Sequence, residues 1–80
     1  MKFRIVSHAI VLGTGGCEDH QFTFVAEGEG IPSREVVSAR SARFLIRELL
    51  GPSALVGMLT AICEAAPAGY QLLVGQTFDE

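Results

Sequence analysis

Two groups of side chains in this 80-residue sequence have the types and spacing that could do chemistry. The first is Cys17 and His20, with two residues between them, and His8 on the preceding apolar segment. A thiolate beside an imidazole makes a nucleophile pair. Cys and His with Glu18 or Asp19 added would make a zinc ligand set. Neither constellation is complete. No third residue is marked as an orienter, no oxyanion-hole motif occurs, and there is no second ligand pair of standard spacing. No metal, no cofactor and no catalytic residue is therefore expected, and the three are read as loop and strand residues. The second group is Val11-Leu12-Gly13-Thr14-Gly15-Gly16, which has the opening of a dinucleotide-binding turn. That turn needs a helix next, with its N-terminus on the pyrophosphate. Here Glu18 and Asp19 follow, which would repel phosphate, so the glycines read as a hairpin turn.

Charged residues form the other sets. Arg40, Arg43 and Arg47 fall close together on a helical wheel, with Arg34 upstream. Guanidinium groups so placed meet phosphate or an acidic partner, or simply face solvent beside Glu48. The acids are segregated elsewhere. Glu18 and Asp19 lie in the hairpin loop, Glu27 and Glu29 at the exit of the second strand, and Asp79 and Glu80 at the end of the sequence. Acids so gathered would dock on a basic nucleic-acid channel of a larger protein, with fast, salt-sensitive association. Glu18, Asp19, Glu27 and Glu29, then Asp79 and Glu80, are the expected partner-binding set. Arg40, Arg43 and Arg47 are the alternative.

The elements that position these residues follow from apolar spacing. Residues 2–12 are rich in β-branched and apolar types and predict a strand. Strict alternation puts Phe3, Ile5, Ser7, Ala9 and Val11 on one face and Lys2, Arg4, Val6, His8, Ile10 and Leu12 on the other. Gln21–Glu27 alternates Phe22, Phe24 and Ala26 against Gln21, Thr23 and Val25, which predicts the second strand of a hairpin. Ser33 is a candidate N-cap, with Glu35 in the first turn, for a helix running to Leu50. Its expected core stripe is Ala42, Leu45, Ile46 and Leu49. Gly51-Pro52 stops that helix, and Ser53 caps a second, apolar almost all round, that ends before Pro67. Tyr70–Val74 predicts a third strand reaching toward Phe78. The expected fold is α+β in one domain, 1–80: a three-stranded, mainly antiparallel sheet (β-β-α-α-β) with a helical hairpin packed on one face.

Composition narrows the class. Hydrophobic residues make up 49% of the chain and charged residues 19%, which excludes intrinsic disorder. A net charge of −3 argues against direct nucleic-acid binding. No apolar run has the length of a membrane span, and the opening Met1-Lys2-Phe3-Arg4 is not a signal peptide, so a cytoplasmic location is expected. Cys17 and Cys63 make no disulfide framework, and Cys63 reads as core. A domain this small buries only ~60% of its unfolded surface. The second helix and the second sheet face both ask for more cover than the chain supplies, so a homodimer is expected.

Taken whole, the chain resembles the small phage-encoded anti-CRISPR proteins that act on type I systems. The residues that carry the likeness are the opening Met1-Lys2-Phe3 strand and the Arg34–Leu50 helix, together with size, acidic charge and element order. The resemblance implies a stoichiometric inhibitor, not an enzyme. It would bind the type I CRISPR surveillance complex (Cascade) in the cytoplasm of a bacterial host and block recognition of target DNA. A homo-oligomeric structural or assembly protein, with no nucleic-acid-related target, is the alternative.

Overall fold

A computed structural model describes residues 1–28, 30–49 and 53–79. Among these, four strands form one antiparallel sheet: β1 (Lys2–Leu12), β2 (Glu18–Glu27), β3 (Ser33–Ser38) and β4 (Thr77–Asp79), in spatial order β3-β2-β1-β4. Helices α1 (Ala39–Glu48) and α2 (Ala54–Glu64) and a 3-10 segment, Pro67–Leu73, complete the fold. The α+β class stands, but the sheet has four strands rather than three.

Both departures from expectation have a local cause. The helix does not start at Ser33. Residues 33–38 add a strand to β2, with Val37 opposite Phe22 and buried, and Val36 on the other face. Adjacent β-branched residues suit a pleated strand better than a first helical turn. Ser38 is the N-cap instead, its Oγ accepting the Ser41 N–H at 3.0 Å. Glu35 is thus a strand residue facing Phe24, not a first-turn acid. The expected stop at Leu50 and Gly51-Pro52 lies outside the described residues, and Leu49 forms the C-cap. Tyr70–Val74 is not a strand. Pro67 opens a 3-10 turn in which Tyr70 and Leu73, three residues apart, both point inward. Alternation by two would have buried Leu72, which is 78% exposed. The fourth strand begins only at Thr77.

A β-bulge decides which side of β1 is apolar. The register runs Phe3↔Ala26 and Ile5↔Phe24, then shifts, and resumes at Ser7↔Thr23 and His8↔Phe22. The extra residue, Val6, reverses the parity. Phe3, Ile5, His8, Ile10 and Leu12 therefore share the face that carries Phe22 and Phe24, and strict alternation fails at that point. The opposite sheet face bears Lys2, Arg4, Ser7, Ala9, Gln21, Thr23, Glu27 and Arg34, with Val11, Val25 and Val36 as its larger apolar groups. It is a mixed polar face and needs no cover.

The core lies between the bulged sheet and the helices. Phe22, Ile5, Met58, Leu59 and Ile62 are its largest fully buried side chains. On α1 only Ala39 and Ala42 are buried; Ile46 and Leu49 are partly covered and Leu45 is exposed. Helix α2, capped by Ser53 as expected, leaves only Gly57 and Glu64 exposed. Its cover comes from the sheet, α1, the 3-10 segment and Phe78, which sits 3.8 Å from where a Cβ on Gly57 would be. The expectation that α2 requires a second copy is corrected: the chain covers it. Cys63 is half-buried against the core and Cys17 is exposed, both as free thiols. No described helix is long and apolar enough to cross a membrane.

Candidate functional site

Helix α1 reaches the core through Ala39 and Ala42, with Ile46 partly covered, and its remaining larger side chains stay outside. Ridge spacing then brings Arg40, Arg43, Phe44 and Arg47 around one groove of about 310 Å³. All four are exposed, Phe44 by 64%. Among the described residues the one ion pair joins Arg4 to Glu27 at 3.9 Å, so none of the three groove arginines is engaged in one. Arginine forks match carboxylate or phosphate oxygens two at a time. An exposed aromatic in their midst supplies the apolar anchor that charge alone lacks. The arginine cluster was legible in the sequence. Phe44 was not singled out, although its place between Arg43 and Arg47 is a signal that could have found it.

The acids are not brought together. Glu18 and Asp19 begin β2 at the hairpin tip, and Glu27 ends it. Nine strand steps separate them, or ~30 Å at ~3.4 Å per residue. At the far end Lys2 lies opposite both Glu27 and Asp79 in the register, and Arg4 pairs with Glu27. Among the described residues, two bases and two acids thus meet at that end, on the sheet's polar face. Glu18 and Asp19 point to opposite faces of the tip, as neighbours in a strand must. Glu29 and Glu80 lie outside the described residues.

A third cluster stands on the apolar face of the hairpin. His8 and His20 are diagonal neighbours across β1 and β2. Their rings stack at 5.2 Å between centroids and 6° apart in plane, and His8 Nε2 lies 3.0 Å from His20 Nδ1. One of those nitrogens carries the proton donated to the other. Tyr70, 2% exposed, closes on both rings edge-on and on Phe22 at 5.2 Å. With one imidazole nitrogen spent on the other ring and aromatic walls around them, the pair works as packing with an internal hydrogen bond. Cys17 sits in the turn, where its carbonyl accepts the Gly13 N–H at 2.7 Å. Among the described residues no group of three or more His, Cys, Asp or Glu could hold a metal ion.

No protein-family model matches the chain, and no curated protein or solved structure is significantly similar to it.

Proposed function

We propose that this chain is a non-catalytic binding protein that docks through the Arg40–Arg43–Phe44–Arg47 face of α1 onto an acidic surface of a larger assembly. The observation that carries the reading is the convergence of three unpaired guanidinium groups and one exposed aromatic ring on a single groove. By the resemblance to type I anti-CRISPR proteins, the assembly is a type I CRISPR surveillance complex, and the consequence of docking is loss of target-DNA recognition. The contact set is the arginine face rather than the acids, because the described acids are split, Glu18 and Asp19 at the tip and Glu27 and Asp79 beside Lys2 and Arg4 at the far end.

The test is target-DNA binding by a purified type I surveillance complex with and without excess protein. The expected result is blocked DNA binding by the wild-type chain. The Arg43→Glu/Arg47→Glu variant is expected to raise the half-inhibiting concentration about tenfold or more, where each factor of ten is ~1.4 kcal/mol. Its melting temperature should stay within a few degrees of wild type, since both side chains are exposed. Full DNA binding at excess wild-type protein overturns the target. Loss of inhibition on Glu18→Lys/Asp19→Lys, with the arginine variant intact, moves the contact to the hairpin tip. A homo-oligomeric assembly protein is the second reading, favoured by the short β4, which pairs with only Lys2, Phe3 and Arg4 of β1 and leaves the rest of that edge without a strand among the described residues.

A further inference from the structure

One edge of the sheet is open along much of its length. On the side of β1 away from β2, β4 pairs only with Lys2, Phe3 and Arg4. Ile5 is then clasped by the chain just before β4, donating to the Gln76 carbonyl at 3.1 Å and accepting from the Gly75 N–H at 2.7 Å. Beyond Ile5 no described strand lies on that side of β1. The direction of the free groups is fixed at both ends of the segment. Gly13 donates across the hairpin to Cys17 at 2.7 Å, and backbone direction alternates along an antiparallel pair. Ser7, Ala9 and Val11 therefore bond to β2, and the N–H and C=O of His8, Ile10 and Leu12 point to the open edge. The same three residues carry their side chains on the apolar sheet face, with Ile10 56% and Leu12 77% exposed.

We infer that this edge pairs with the same edge of a second copy, antiparallel about a two-fold axis at Ile10. In that register Ile10 lies opposite Ile10 of the other copy, and His8 lies opposite Leu12. Each outward N–H of one copy meets an outward C=O of the other, so the segment is complementary to itself, as a two-fold interface requires. Ser7–Leu12 carries no formally charged Lys, Arg, Asp or Glu, so no such like charges face each other across the axis. The pairing also ends where it must: the partner's Leu12 reaches His8, just short of the Gly75–Gln76 clasp at Ile5. The other edge strand, β3, is unlike this one. It carries Arg34 and Glu35, the kind of charges that keep an edge from pairing. Leu12 would be laid over the partner's His8 ring, giving the exposed leucine an aromatic surface. This inference does not depend on the identity of any target.

The test is oligomeric state of the full chain by light scattering and sedimentation across a concentration series. Wild type is expected to be a dimer. Ile10→Lys places like charges on the axis and is expected to give a monomer that still folds, because its side chain is already half exposed. Ile10→Pro removes one edge donor without touching the β1–β2 bonds and is expected to lose the dimer as well. Val36→Lys, on β3, is expected to keep it. A wild-type chain that stays monomeric up to millimolar concentration overturns the inference. So does a dimer that survives Ile10→Lys or is lost in Val36→Lys.

Discussion

Tyr70 packs against both strands of the hairpin where its histidines stand. Its ring touches His8, His20 and Phe22 from a 3-10 turn far along the chain. Removing it leaves the imidazole pair without a wall and opens a cavity beside Phe22. Tyr70→Ala is expected to cost about 3–5 kcal/mol, the range for a large buried aromatic, measured as a lower urea midpoint with an unchanged m-value. A cost under 1 kcal/mol would mean the ring is not packed as described. The histidines show what residue types alone reveal. The sequence places His8 on the first strand and His20 just before the second, at Gln21–Glu27, whereas β2 starts at Glu18 and includes His20. What the sequence did not carry was the bulge, which makes the pair diagonal and fills each ring's surroundings with aromatic faces. The two turn glycines were plainer: Gly15 and Gly16 adopt positive φ, as the glycine-rich stretch suggested.

At the scale of elements, periodicity was readable where one period ran without interruption. The β2 alternation and the Ser53-capped α2 stand where the pattern put them. It failed where a period changed inside a segment. Residues 33–49 are a strand followed by a helix and its C-cap, and the switch falls at Ser38, which caps the helix in place of Ser33. Residues 70–74 repeat by three, but the short run Tyr-Gln-Leu-Leu-Val reads equally as alternation. The bulge at Val6 is the third such change, and it yields a sharp prediction. Val6 is the extra residue in β1, so its deletion leaves Phe3, Ile5 and His8 on the core face and simply removes the kink. Deleting Thr23 from β2 has no such slack and must turn Phe22 or Phe24 to solvent. The Val6 deletion is expected to fold cooperatively in denaturant. The Thr23 deletion is expected to lose about 3–5 kcal/mol or to fail to fold. Equal losses in the two would show that β1 holds no spare residue.

For the whole molecule, the apolar surplus of the composition proves to be unevenly placed. The chain covers its own α2, and the outer sheet face mixes polar side chains with Val11, Val25 and Val36. The exposed apolar groups that remain are Ile10, Val11 and Leu12 on the hairpin arm, Phe44 and Leu45 on α1, and a few isolated ones. The molecule is elongated, 40 Å by 24 Å by 21 Å. Amide hydrogen exchange gives a whole-chain check. In the Ile10→Lys monomer, Ser7, Ala9 and Val11 are expected to be protected while His8 and Leu12 exchange quickly. In wild type all of these amides are expected to slow together. Uniform protection in the monomer would show that another segment already occupies the edge.

The clasp of Ile5 by Gly75 and Gln76 has a consequence for how the protein is made. It joins positions separated by about 70 residues, one of the longest loops this chain can close. During synthesis β1, β2 and β3 emerge and can pair early, while Phe3 and Ile5 wait for the segment that ends at Asp79. Until that segment leaves the ribosome, the edge of β1 away from β2 is bare along its full length. The arrival of Gly75–Asp79 thus ends the period in which this edge is exposed to chaperones and to neighbouring nascent chains.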